Sequence, residues 1–235
     1  MTRKSFLIRH VKSEPPDERT LAKYLRYWRS KDLYQTPEAF PRLDSSHLFG
    51  NDHPLHLEIG CSTGEYLCAL AAKDPATNFL GVEINLKSLY VAVGHAADLS
   101  LDNILFIKAP FQHTYSLLVP ESLQAVYLHF PDPSLRPKQR KRQLFNTALL
   151  DALHPALMPG GVWSIVTDNE ELFQGTILSL VEKDDRFKKV HAERYLLGFE
   201  PEAKSRYQLY WEKHGATIYR VALEQDDFNT ETQRE

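Results

Sequence analysis

From residue 55 onward the chain alternates short apolar runs with amphipathic stretches, and that alternation leaves few folds open. Leu55-His56-Leu57-Glu58-Ile59 predicts a strand and Glu65 to Lys73 a helix. Asn78-Phe79-Leu80-Gly81-Val82-Glu83 predicts a second strand, followed by a helix from Leu86 to about Ala97. Ile104 to Lys108 and Gln124 to Phe130 predict a third and a fourth strand. A long helical stretch is expected from Lys138 to about Leu157, ending at Pro159-Gly160-Gly161. Val162 to Thr167 reads as a fifth strand, Glu170 to Lys183 as a helix, and Lys189 to Tyr195 and Ala216 to Leu223 as late β-rich pieces. Such a β/α series predicts an α/β fold, a mostly parallel sheet with helices on both faces and ligands at the carboxyl ends of its strands. Residues 1–54 are expected to form an extension with one helix, Arg19 to Ser30, and a connector marked by Pro37, Pro41 and Pro54. The acidic residues 224–235 are expected to be a disordered tail.

The first strand-to-helix loop is Gly60-Cys61-Ser62-Thr63-Gly64. Glycines there let the backbone approach a ligand and aim helix N-terminal amides at it. The spacing is not G-x-G-x-x-G, so the dinucleotide fingerprint fails. Glu83 ends the second strand, where a carboxylate can accept from both hydroxyls of a ribose. A nucleoside without a pyrophosphate fits this pair, and S-adenosylmethionine is the expected cofactor. The competing reading is a tight turn and an exposed strand-end acid. Gly60 to Gly64 also satisfies G-x-S-x-G, the nucleophile elbow of α/β hydrolases, with Asp168 and His191 or His214 following in the required order. An elbow normally follows several strands, and no convincing strand precedes residue 55.

The fourth expected strand runs into Phe130-Pro131-Asp132-Pro133, and five cations follow: Arg136, Lys138, Arg140, Lys141 and Arg142. Each proline fixes its own φ and biases its neighbour away from helix, which holds the carboxylate in a stiff turn. A fixed acid beside a basic strip suits chemistry on a polyanion, although a solvated helix start accounts for the same charges. Net charge is −3, so nucleic-acid binding would use local patches such as this one and Arg3, Arg9 and Lys12. No apolar run approaches membrane-spanning length and no secretory segment is visible; together with two widely different cysteine settings at Cys61 and Cys68, this predicts a cytoplasmic protein. A transit peptide is the lesser alternative for the basic start, which soon meets Glu14, Asp17 and Glu18. No metal is expected; His53 and His56 fall in a loop and a strand.

These residues together resemble the tRNA (guanine-N7-)-methyltransferases. The likeness rests on Glu58-Ile59-Gly60 with Gly64, Asn78 to Glu83, Phe130-Pro131-Asp132-Pro133 with its basic follower, Pro159-Gly160-Gly161 and Thr167-Asp168. It implies a Rossmann-like class I methyltransferase with a seven-stranded, mostly parallel sheet and a late antiparallel strand, spanning residues 55–223. It further implies that Glu58, Gly60, Gly64, Glu83, Lys108, Ala109 and Asp132 bind the cofactor, with Asp132 also the catalytic carboxylate. Arg136, Asp168, Ser205 and Gln208 would meet the substrate, and Lys138, Arg140, Lys141 and Arg142 the phosphates of tRNA. Guanine N7 has a free lone pair, so positioning and electrostatics would carry the reaction. Tyr127, Phe130 or Tyr207 could stack on an extruded guanine, and each also reads as core. The chain departs from the family pattern at Ser134, Arg136, Lys108, Gln208, Tyr210-Trp211 and Gly215-Ala216. Lys108 reverses the expected charge beside the adenosine pocket and should weaken binding unless its side chain turns to solvent or to Glu83. An enzyme for another substrate, or an RNA-binding paralogue with weakened catalysis, would also fit; the sequence leaves monomer or homodimer open.

Overall fold

The computed structural model describes residues 14–133, 143–201 and 203–225. Helices are α1 (Glu18–Tyr24), α2 (Ser30–Gln35), α3 (Ser45–Phe49), α4 (Glu65–Lys73), α5 (Leu86–Asp98) and α6 (Thr147–Leu153). They continue with α7, which comprises Glu170–Leu172, a π-helical Phe173–Leu178 and Ser179–Val181, and with α8 (Arg206–Lys213). Strands are β1 (Leu25–Tyr27), β2 (Leu55–Ile59), β3 (Asn78–Glu83), β4 (Ile104–Lys108) and β5 (Leu123–His129). The rest are β6 (Leu157–Thr167), β7 (Phe187–Lys189), β8 (Leu196–Leu197) and β9 (Tyr219–Gln225).

The sheet runs β1-β4-β3-β2-β5-β6-β9-β7, with β8 paired to β9. Pairings from β1 to β6 are parallel and those of β9 antiparallel. The expected late antiparallel strand is therefore present, but the sheet has nine strands rather than seven. The two extra strands are short edge pieces, β1 and β8. The chain reverses its strand order beside β2, where the crevice of an open α/β sheet lies.

Sequence-local signals explain the central elements. Strands β2, β3 and β4 are buried on nearly every residue, as parallel strands covered on both faces must be. Helix α5 buries Leu89, Ala92, Val93 and Ala96 on one stripe, and Asn85 caps it by accepting from the Ser88 amide. Asn146, Asn169 and Ser205 cap α6, α7 and α8 in the same way.

Several expectations require correction. The region before residue 55 holds three helices, α1, α2 and α3, rather than one. The piece expected from Lys189 to Tyr195 falls mostly between β7 and β8, and β9 continues to Gln225, into the expected tail. Helix α1 stops at Tyr24, because residues 25–27 pair with β4 as an edge strand. The helix expected from Lys138 is a short α6 that begins only after Asn146, and residues 134–142 lie outside the described part. Pro159-Gly160-Gly161 does not precede its strand but lies inside β6: Leu123 pairs with Leu157 and Ala125 with Val162, so the residues between bulge out. Gly160 has φ +73°, and a Cβ on Gly161 would stand 2.8 Å from the Met158 carbonyl oxygen, so the bulge needs both glycines.

The region before residue 55 packs into the main core. Trp28, Leu33 and Leu43 are buried in one cluster with Leu57, Leu80 and Val126. Leu33 is 2% exposed, so Leu33→Ala should cost about 2–5 kcal/mol of stability in urea unfolding. A loss below about 0.5 kcal/mol would show that this segment does not support the core.

Candidate active site

The carboxyl ends of β2 and β5 meet at a narrow crevice. Its described lining includes Glu58, Gly60, Cys61, Ser62, Glu65, Tyr66, His129, Phe130, Ser205 and Tyr207. Gly60 and Gly64 adopt φ +79° and +73°. Gly64 additionally has no room for a Cβ, which would come within 2.7 Å of the Ala92 Cβ. The loop thereby turns back over β3 and presents its amides. Ser62, also at positive φ, donates its backbone N–H to Glu83 Oε2 at 3.2 Å. Glu83 Oε1 accepts from the amides of Ile84 and Asn85 at 2.7 and 2.8 Å. Three backbone donors thus fix one carboxylate where two loops converge, and a carboxylate offers about four acceptor positions in all.

The crevice is acidic and aromatic. Glu58 is 4% exposed, and Glu65 accepts from the Thr63 hydroxyl at 2.7 Å. No lysine or arginine appears among the described lining residues. Burial beside Glu58 and Glu83 holds the Cys61 thiol protonated, well above its ordinary pKa. Burial pushes the Tyr207 phenol up to about 12, and Glu83 and Glu65 add to that shift. His129 is driven down to about 3 by burial and by the Arg220 charge. Its Nε2 lies 3.2 Å from the Ser164 hydroxyl, and its ring meets Tyr66 and Phe199 edge-on.

The hydrolase reading fails on this geometry. His191 hydrogen-bonds through Nδ1 with the Glu193 carbonyl and through Nε2 with the Ala222 amide, and His214 contacts the Tyr210 carbonyl. Neither ring forms a hydrogen bond with Ser62 among the described contacts, and the crevice histidine is far too weak a base at neutral pH.

The remaining expected site residues fall as follows. Asp132 is exposed and lies three residues beyond the end of β5, after Phe130 at φ +51°. Phe130 donates its N–H to the Val166 carbonyl, so the turn holding Asp132 abuts the end of β6, where half-buried Asp168 follows Thr167. Ala109 is fully buried, with its N–H bonded to the Glu83 carbonyl. The Lys108 ammonium lies 4.8 Å from the centroid of the Tyr27 ring. Ser205 lines the crevice and caps α8. Gln208 is buried, and its amide donates to the Phe199 carbonyl and to Glu212 Oε1, bracing the chain rather than facing a substrate. Half-buried Tyr127 bonds through its hydroxyl to His56 Nδ1 and packs against the core, while Phe130 lines the crevice and packs with Val166, Phe199 and Ile218. Arg136, Lys138, Arg140, Lys141 and Arg142 lie outside the described residues, as do Arg3, Arg9 and Lys12.

Helix α8 and the crevice histidine carry no sequence pattern that announces them. The helix reaches the glycine loop through an ion pair from Arg206 Nε to Glu65 Oε1 at 3.2 Å. Tyr207 follows onto the same crevice, its hydroxyl directed at that of Ser62. No group of His, Cys, Asp and Glu among the described residues could hold a metal ion. No helix among them is long and apolar enough to cross a membrane.

This sheet order, the glycine turn and the acid ending β3 define a methyltransferase of the Rossmann-like class. Solved structures agree on the fold: an antibiotic-related methyltransferase superposes with a TM-score of 0.54 at 14% identity, covering 78% of this chain and 95% of that one. The antibiotic-resistance methyltransferase Kmr gives 0.52 at 13% identity, covering 84% of this chain and 93% of its own. A family model described as "Putative methyltransferase" matches residues 52–221. A tRNA (guanine-N(7)-)-methyltransferase of Rubrobacter xylanophilus is 48% identical over 95% of this chain and 99% of its own length. One from Chloroherpeton thalassium is 38% identical over 91% and 94%. The chain belongs to the tRNA (guanine-N(7)-)-methyltransferase family.

The neutral His129 ties stability to pH. Above pH 6.5 the imidazole is neutral in both folded and unfolded chains and contributes no slope. Between pH 6.5 and about 3 only the unfolded chain takes up the proton, so stability falls as pH falls. The slope should approach about 1.4 kcal/mol per pH unit. The stability difference between wild type and His129→Gln, followed by denaturant unfolding from pH 7 to 4, should carry this slope. A difference independent of pH would show that His129 is protonated in the folded protein.

Proposed function

We propose that this protein transfers a methyl group from S-adenosylmethionine to N7 of a guanine in tRNA. The carrying observation is Glu83, fixed by three amides, one of them from Ser62 of the glycine turn that lines an acidic crevice. The residues suit that cofactor: Glu83 offers its remaining acceptor capacity to the ribose hydroxyls, and the glycine turn admits the nucleoside without a phosphate-binding loop. Glu58 and Glu65 face the cationic end of the ligand with opposite charge. When bound, the cofactor supplies an electrophilic methyl on a sulfonium.

The protein's part is placement. Guanine N7 presents a lone pair and needs no base, which agrees with a crevice histidine too weak to serve as one. Asp132, in its proline-flanked turn, orients the base and stabilises the positive charge that the purine gains. Asp168, which follows the end of β6, and Ser205, which lines the crevice, would meet the substrate. The basic residues from Arg136 to Arg142 grip tRNA phosphates. The reaction takes place in the cytoplasm.

Incubation with labelled S-adenosylmethionine and unmodified bulk tRNA, followed by nucleoside analysis, should yield N7-methylguanosine. Any other methylated nucleoside, or none, would contradict the proposal. Asp132→Ala should lower turnover by about 100-fold or more, with a much smaller change in cofactor affinity. Unchanged turnover would remove Asp132 from the mechanism. Replacing Arg140, Lys141 and Arg142 with alanine should weaken tRNA binding and flatten its salt dependence by about one unit of slope for each phosphate no longer gripped. An unchanged slope would assign these cations to another surface.

A further inference from the structure

We infer that Tyr27, on the edge strand β1, is a positioning residue for the cofactor site: it keeps the Lys108 ammonium off Glu83. The inference rests on the cofactor reading above. In the parallel register Tyr27 stands opposite Lys108, and Lys108 opposite Glu83, so the three share one row and one face at the carboxyl edge of the sheet. Adjacent strands lie about 4.8 Å apart, well within the reach of a lysine stem. Coulomb attraction alone would send the ammonium to the carboxylate. The Lys108 Nζ instead lies 4.8 Å from the centroid of the Tyr27 ring, and β1 borders β4 on the side opposite β3, the strand that Glu83 ends.

The consequence for binding follows from acceptor capacity. Three amides already occupy most of the Glu83 carboxylate. An ammonium with three donors would take what remains, in direct competition with ribose hydroxyls. It would also set a like charge beside a sulfonium ligand. The ring face of Tyr27 gives the cation a competing site, of a strength that corresponds to about two- to fivefold in an equilibrium at an exposed position. Tyr27 is 57% exposed, so it is not held there as core.

The test is a double-mutant cycle read by calorimetric binding of S-adenosylhomocysteine, with NMR of the ligand-free protein. Tyr27→Phe keeps the ring and should bind as wild type does. Tyr27→Leu should bind about two- to fivefold more weakly, and the ring-current shift of the Lys108 ε-methylene protons should disappear. In the Lys108→Gln background, Tyr27→Leu should have no further effect on affinity. Equal weakening by Tyr27→Leu in both backgrounds would mark a merely structural role and overturn the inference. Wild-type affinity in Tyr27→Leu, or no ring-current shift in the wild type, would overturn it too. Wild-type protein that binds no S-adenosylhomocysteine would overturn the cofactor reading and this inference with it.

Discussion

The bonding of one carboxylate organises the site. Glu83 accepts from the Ser62 amide in one loop and from the Ile84 and Asn85 amides in the next, so two strand-to-helix connections are fastened to a single side chain. The glycine loop can reach it only because Gly60 and Gly64 tolerate positive φ and Gly64 meets the Ala92 methyl with no Cβ of its own. Gly81 has a related task under the loop: a Cβ there would stand 2.7 Å from both the Cys61 sulfur and the Phe106 ring. Close packing of loop, strand and helix therefore fixes where the acid points before any ligand arrives.

Charge placement along the sheet edge then separates two regions. The crevice keeps Glu58 and Glu65 close to Glu83, with a neutral histidine and a protonated tyrosine beside them. Cations near its rim each have a partner: Lys108 the Tyr27 ring, Arg220 the Phe199 ring, and Arg206 the crevice's own Glu65. On the function proposed above, that arrangement would suit a cationic nucleoside, and the basic residues that follow Asp132 would meet a polyanionic substrate. Helix α8 links the regions, since its first turn pairs with Glu65 and carries Tyr207 onto the crevice wall.

How much of this the sequence disclosed depends on where the information resides. Strands β2, β3 and β4 and helix α4 carry their signals locally, in uninterrupted apolar runs and in side-chain periodicity, and their observed limits match the expected ones. Glu83 and the glycine turn were legible because few residue types satisfy those backbone and bonding demands. Strand β1 was not, since three residues carry no period and its pairing with β4 is set by tertiary contact. Helix α8 was hidden for another reason: Tyr207 is buried by contacts with residues far along the chain, Phe130 and Val166 among them, rather than by a regular apolar stripe. The aromatic residues proposed as stacking platforms show the same limit, because whether Tyr127 and Phe130 face a ligand or the core is decided by their neighbours.

Amide hydrogen exchange, with and without S-adenosylhomocysteine, tests most directly whether the two loops fastened to Glu83 form the ligand site. Protection should concentrate at residues 60–64 and 83–85, with a second region at the start of α8. Protection confined to other parts of the sheet, or none at saturating ligand, would contradict the account.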